Sequence, residues 1–282
     1  MSYTTESSKL DHRPAAQIIQ SACREAGITP RMVITLGSGL GPLADEVSDP
    51  VVLSYDRLPN FPKPTVAGHA GRLVIGRLAG VPIITMQGRM HVYEGHEVAE
   101  LAVPIRAFKQ AGVEILTLTN ASGSTRLDMP PGSLIAVRDH INFGAKNPLV
   151  GPNDDSVGPR FFDMSEAYDR ELLEQLKGAQ TDCGLPTHEG VYMWFLGPNF
   201  ETPAEIKMAQ LLGVDCLGMS TVPETLAARH CGMRVACLSS VTNYAAGMTD
   251  VPLSHEETLA VAAKNAENLI RVMKAFVQRV AA

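Results

Sequence analysis

The sequence predicts a single α/β domain over residues 1–282, with a mixed, partly barrel-like central sheet surrounded by helices. Three observations carry this. The 282 residues are 45% hydrophobic, enough for a full core. Short apolar runs alternate with stretches whose apolar residues recur at helical spacing. Neither an internal repeat nor a low-complexity linker divides the chain. The apolar runs repeatedly end in turns rich in small and polar residues, and strand ends are where open α/β sheets hold ligands.

In chain order, Pro14 opens a helix whose apolar residues are Ala15, Ile18, Ile19, Ala22 and Ala26, with Gly27 where it would stop. The strand 32–36 ends in the glycine-rich turn 37–41, whose N–H groups can form an anion nest. It is one residue short of a dinucleotide fingerprint and has no Lys to complete a P-loop. After the stiff loop 60–64, His69 sits between glycines before the strand 73–78. Ala79 and Gly80 turn that strand into the run 81–86. The stretch 87–96 follows, with Arg89, His91, Tyr93 and His96. In an extended chain Arg89, His91 and Tyr93 share one side, and a guanidinium beside an imidazole suits an anion.

Residues 97–110 have helical spacing, with Pro104 predicting a kink or a shorter helix. A central strand is expected over 113–119, ending in a small-residue turn at 120–124. A strand over 133–137 precedes a long loop, 142–163, of the kind that usually carries function. Then come a helix over 166–180 and a strand over 190–196 with the sole tryptophan, Trp194. Pro203 reads as a first helical residue, which leaves Glu201 just outside a helix start. Strands 214–217 and 235–241 lead into the turns 218–224 and 242–247. Ser254 and Glu257 form a capping box for a long final helix and place His255 in its first turn.

The totals exclude some classes. A net charge of -6 with no Lys/Arg block argues against nucleic acid or an anionic membrane as partner. Cys23, Cys183, Cys216, Cys231 and Cys237 contain no C-x-x-C pair, so they read as reduced core residues of a cytoplasmic protein. The amino terminus, residues 1–13, lacks the apolar run of a leader, and no apolar segment is long enough to span a bilayer. The glycosylation spelling at Asn120 carries no meaning in a cytosolic chain.

Seven spaced motifs, GSGLG from Gly37, GHAGRL from Gly68, QGRxHxYEG from Gln87, TNAxG from Thr119, GPxFET from Gly197, GMSTVPE from Gly218 and TN at Thr242, occur in the order of the trimeric purine nucleoside phosphorylases. The chain resembles that family from about Arg31 to the final helix. The resemblance implies the nucleoside phosphorylase fold, a homotrimer, and no cofactor, with inorganic phosphate as co-substrate and purine nucleosides as partners. It implies a phosphate site of Ser38, Arg89, His91, Ser220 and the Ala121 N–H, with His69 beside it. Glu201 and Asn243 resemble the purine-reading pair, with Phe200 and Leu217 around the base. Tyr93, Met219 and His255 resemble the ribose contacts, and Phe161 an aromatic that closes the neighbouring subunit's pocket. His91, Glu201 and Asn243 are the expected catalytic residues.

In the implied reaction the nucleophile is phosphate itself. That accounts for the absence from the sequence spacing of a Ser-His-Asp arrangement, paired glycosidase carboxylates or a metal cluster. Glu201 suits a 6-oxopurine, which favours inosine and guanosine over adenosine. Ser122 and Ser124 stand where many relatives carry Ala and Gly, and Tyr244 where vertebrate members have Lys, so the chain looks bacterial-type. Phe195 makes xanthosine a weaker candidate. Rival readings are a methylthioadenosine phosphorylase, whose branch has Ser and Asp in place of Glu201 and Asn243, a nicotinamide-dependent oxidoreductase, and a non-catalytic nucleoside sensor.

Overall fold

The computed structural model describes residues 9–66, 68–250 and 252–282. Residues 1–8, most of the segment read as lacking a leader, lie outside the described residues, as do Ala67 and Val251.

The chain forms helix α1 (Arg13–Glu25), strands β1 (Met32–Leu36), β2 (Ser48–Ser54), β3 (Arg72–Leu78) and β4 (Val81–Gln87), helix α2 (Ala102–Gln110), strands β5 (Ile115–Ser124) and β6 (Leu134–Asn142) and helix α3 (Arg170–Asp182). Strand β7 (His188–Trp194), helix α4 (Pro203–Leu211), strand β8 (Cys216–Gly218), helix α5 (Val222–His230), strand β9 (Arg234–Tyr244) and helix α6 (His255–Ala281) follow. One nine-stranded sheet runs in the order β2-β3-β4-β1-β5-β8-β7-β6-β9. A further pairing of β9 with β5 closes β5, β8, β7, β6 and β9 into a ring. The sheet is therefore mixed and partly a barrel, as the alternation of apolar runs and helices predicts.

The β3–β4 hairpin turns through Ala79 (φ 50°) and Gly80 (φ 84°), the doubly left-handed geometry that matches strand twist. Strand β1 lies parallel to β4 and β5, and β5 parallel to β9, so the carboxyl ends of these four strands share one edge. Along β5–β9 the register jumps from Ser122↔Val241 to Gly123↔Asn243, leaving Thr242 as the extra residue of a bulge.

Core side chains lie on both faces of the sheet. One cluster, with Ile19, Leu73, Ile84, Phe108 and Trp194, packs α1, α2 and α5. A second, with Leu36, Leu43, Leu176, Val272 and Phe276, packs α3 and α6, and a third, with Met193, Ile206 and Ala209, packs α4. Ser254 Oγ accepts from the Glu257 N–H at 3.1 Å and starts α6. The five cysteines are free, all but Cys183 buried. Among the described residues no helix is long and apolar enough to cross a membrane.

Some boundaries differ from the sequence expectation. The helix over 97–110 is a 3-10 turn, Val98–Leu101, followed by α2. Pro104 falls in the first turn of α2, where its missing N–H costs no helical bond. Much of the turns read at 120–124 and 242–247 is strand, since β5 runs to Ser124 and β9 to Tyr244. The small residues there serve close approach: a Cβ on Gly123 would sit 3.1 Å from Asn243 Nδ2. Strand β6 continues to Asn142, and the long loop after it runs on to the start of α3 at Arg170. Strand β2 and helix α5 carry no clear period, because β2 is a largely exposed edge containing Pro50 and α5 is buried on nearly every side.

Candidate active site

A cavity of about 330 Å³ opens at the shared strand edge. Gly37 and Ser38 reach it from the end of β1, Arg89, His91 and Tyr93 from the end of β4, and Asn120 to Gly123 from β5. Phe200 and Glu201 enter after β7, Met219 and Ser220 after β8, and Thr242 and Asn243 at the end of β9. His255 and Thr258 close it from the first turn of α6. Every site residue expected from the sequence lines the cavity except His69 and Phe161.

Arg89 is the centre of one end. Its side chain is 1% exposed and its Nε donates to Glu224 Oε1 at 2.7 Å. Nη1 donates to the Thr119 carbonyl (2.8 Å) and to Ser220 Oγ (3.1 Å), while buried Nη2 has no protein partner. A buried guanidinium nitrogen with an unspent proton is a site for an anion. Glu224 has its other oxygen on the Thr221 N–H (2.8 Å), so one carboxylate fixes both the arginine and the start of α5.

Thr221 holds φ 75°, ψ -50°, and the Val222 N–H donates to the Ser220 carbonyl at 2.8 Å. This is the strained form of the γ-turn, rarer still for a β-branched residue. Strain of about 1–3 kcal/mol persists only where the surroundings over-determine it. Here Glu224 grips the Thr221 N–H, Asn120 Nδ2 donates to its hydroxyl (2.8 Å), and Thr225 Oγ1 donates to its carbonyl (2.9 Å).

His69 acts one step back. Its Nδ1 accepts from the Arg89 N–H (3.1 Å), so the ring proton sits on Nε2, 3.3 Å from Ser38 Oγ. Burial, with the nearby His91 and Arg89 charges, lowers its pKa to about 4. The neutral ring thus donates to Ser38 and leaves the Ser38 hydroxyl proton for the cavity. His91 Nδ1 meets Glu94 Oε1 at 2.8 Å, and its ring stacks on Tyr93 with centroids 4.6 Å apart. Burial opposes ionisation of Glu94, but hydrogen bonds from His91 and Thr65 win and bring its pKa to about 2.

The other end is different. Glu201 is 7% exposed, its Oε1 has no partner, and burial raises its pKa. In the same cavity, Asn243 Nδ2 donates to the Tyr244 carbonyl (2.9 Å), and the Thr242 hydroxyl lies 2.9 Å from Asn243 Oδ1. One amide proton and one lone pair remain for a ligand. Phe200 and Leu217 supply apolar wall. Phe161 is 89% exposed and outside the cavity of its own chain.

Sequence reasoning missed Glu94, Glu224, Thr221 and Thr242. A signal existed for Thr221 and Glu224, whose T-x-x-E spacing is that of a helix start. Thr242 lines the cavity beside Asn243 only because of the bulge, which period-two reasoning does not reveal.

Residues 31–278 match the phosphorylase superfamily. The chain belongs to that superfamily. Within it, the chain is 47% identical over 249 residues to purine nucleoside phosphorylase 1 of Bacillus subtilis (strain 168), covering 88% of this chain and 92% of the relative. It is also 47% identical over 253 residues to purine nucleoside phosphorylase 1 of Geobacillus stearothermophilus, covering 90% and 92%. A crystal structure of Schistosoma mansoni purine nucleoside phosphorylase in complex with inosine superposes with a TM-score of 0.88 at 37% identity, covering 96% of this chain and 98% of that one. These likenesses agree with the family resemblance of the motifs and do not favour a dinucleotide-binding oxidoreductase or a methylthioadenosine phosphorylase.

Proposed function

We propose that this chain is a purine nucleoside phosphorylase. Inorganic phosphate displaces the base of inosine, guanosine and their deoxy forms, giving the free purine and (deoxy)ribose 1-phosphate. One observation carries the reading: a single cavity has an unspent buried guanidinium proton at one end and an unpartnered buried carboxylate oxygen at the other.

In this reading phosphate lies against Arg89 Nη2, the Ser38 and Ser220 hydroxyls, His91 and the Ala121 N–H. A phosphate oxygen forms the bond to C1′ as the bond from C1′ to N9 breaks, and that electron pair passes into the purine ring. The ribosyl group becomes cationic in between, and the anchored phosphate supplies the opposing charge. Positioning provides most of the acceleration. The departing ring carries negative charge, which the free Asn243 amide proton meets at the N7 and O6 edge. Glu201 accepts from N1–H and from a 2-amino group. Adenine has a lone pair at N1 and is disfavoured, since a site built for a hydrogen bond rejects an analogue lacking it. Tyr93, Met219 and His255 hold the sugar, with Phe200 and Leu217 along the base.

The reaction needs no cofactor or metal, because the nucleophile arrives charged. The working form is proposed to be a cytoplasmic homotrimer, with exposed Phe161 covering the cavity of a neighbouring subunit. Mixed oligomers of Phe161→Ala and Glu201→Ala chains then regain activity above either parent; no recovery means that each subunit is self-sufficient.

The deciding experiment incubates inosine, guanosine, adenosine, xanthosine and methylthioadenosine separately, with and without phosphate, and follows base and sugar phosphate. Phosphate-dependent hypoxanthine and guanine are expected. Loss of methylthioadenosine with inosine untouched would overturn the substrate assignment, and binding of inosine without product would make the protein a sensor.

A further inference from the structure

From β5 and β9 to the start of α5, buried polar groups follow one another within hydrogen-bond distance. Ser122 Oγ lies 2.7 Å from Ser239 Oγ, and Ser239 Oγ lies 2.6 Å from Asn120 Oδ1. Asn120 Nδ2 lies 2.8 Å from Thr221 Oγ1, which is 3.2 Å from Ser220 Oγ. Asn120, Ser122 and Ser220 line the cavity, and Ser239 and Thr221 do not.

A hydroxyl has one proton and an amide has chemically distinct ends, so the protons of such a chain run one way or the other. Run outward, Ser122 donates to Ser239, Ser239 to Asn120 Oδ1, the amide to Thr221, and Thr221 to Ser220. Ser220 Oγ then accepts from Thr221 and from Arg89 Nη1, and its own proton is available to the Tyr192 hydroxyl or to an anion in the cavity. Run inward, every bond reverses with the amide turned over. Ser220 then spends its proton on Thr221 and offers an anion only lone pairs.

The outward sense fits the surroundings. Asn120 Oδ1 faces Ser239, and its Nδ2 faces both Thr221 and the Cys237 sulfur at 3.6 Å, a weak acceptor. The Ser220 N–H lies 3.3 Å from the Tyr192 hydroxyl, which anchors the backbone of the last member. The strained γ-turn also acquires a purpose, because it brings the Thr221 hydroxyl between Asn120 and Ser220.

We propose that Ser122, Ser239, Asn120 and Thr221 form a directional relay that aims the Ser220 proton at the bound phosphate, making Ser239 and Thr221 positioning residues for that substrate. The relay rests on the assignment of Ser220 to the phosphate site. It couples residues deep in the ring to anion affinity while leaving the base-reading end alone.

The test measures binding of inorganic phosphate by calorimetry, alongside phosphate and inosine KM, for Ser239→Ala, Thr221→Val, Thr221→Ser and Ser220→Ala, with the first two also made in the Ser220→Ala background. Ser239→Ala and Thr221→Val are expected to weaken phosphate about three- to tenfold, the worth of one ordered hydrogen bond, with inosine KM changed by less than about twofold. Thr221→Ser keeps the hydroxyl and stays near wild type. In the Ser220→Ala background neither substitution has a further effect, a coupling that general loosening of the ring would not produce. Additive losses, or an inosine KM that rises in step with the phosphate KM, overturn the relay. If Ser239→Ala fails to melt cooperatively, the Thr221→Val cycle decides alone. A wild-type chain that binds no phosphate overturns the catalytic reading itself, an outcome separate from a failed cycle.

Discussion

The two ends of the cavity are built on opposite principles. At the anion end, Arg89, His69, His91 and Ser220 are tied to Glu224, Glu94, Ser38 and the backbone, and the open valences are hydroxyl and guanidinium protons. At the base end, Glu201 is buried with an oxygen that nothing in the protein satisfies. The first is a preorganised cradle whose cost is spread over many bonds. The second carries a localised cost, because a buried carboxylate without a partner is unfavourable until a ligand arrives. In the proposed reading, affinity for a small symmetric anion needs the cradle, whereas choice among similar bases needs the group left hungry.

The sharpest way to break this contrast is Arg89→Ala. Phosphate kcat/KM is expected to fall roughly a thousandfold, about 4 kcal/mol, measured by initial rates at varied phosphate. Glu224 is then left buried and unpaired, so denaturant titration should also show a loss of about 3–5 kcal/mol. At the other end, Glu201→Gln should cut inosine kcat/KM about a hundredfold yet raise the melting temperature at pH 7. Burial raises the Glu201 pKa, so the folded chain holds its proton more tightly than the unfolded one. Ionisation of Glu201 therefore subtracts stability above the unfolded value, and the gain in the variant vanishes as pH falls below about 4.5. Wild-type turnover of inosine should fall as pH drops through the raised value. A Glu201→Gln protein less stable than wild type at pH 7 would show that the carboxylate is satisfied after all.

Smaller effects sharpen the division. Asn243→Asp should move the adenosine-to-inosine ratio of kcat/KM by about tenfold or more, with phosphate KM little changed. Equal changes on both substrates would merge the two ends. Ser38→Ala removes one neutral hydrogen bond and should raise phosphate KM about threefold.

The cradle was more legible in the sequence than its supports. Arg89 and His91 announce themselves by residue type at a strand end, where fold logic already places ligands, whereas Ser38 enters only through the family resemblance of its glycine-rich turn. Their partners are ordinary glutamates: Glu224 lies 135 positions from Arg89, and only the tertiary structure joins them. The hairpin and the final helix were readable because local turn and cap chemistry sets them. Edge strand β2 and buried α5 were not, since packing decides them and their apolar residues follow no period. The extents of β5 and β9 were masked by Gly, Ser and Asn, which look like turn formers until the ring demands extended backbone.

The bulge on β9 has a consequence for how such a site can change over time. Two consecutive residues, Thr242 and Asn243, both line the cavity because one position there has no counterpart on β5. The extra residue places a hydroxyl beside the Asn243 amide, and Thr242 Oγ1 donates to Asn243 Oδ1 at 2.9 Å. Losing residue 242 would leave the asparagine opposite Gly123 in a regular ladder but remove that hydroxyl, so the amide would lose the neighbour that orients it.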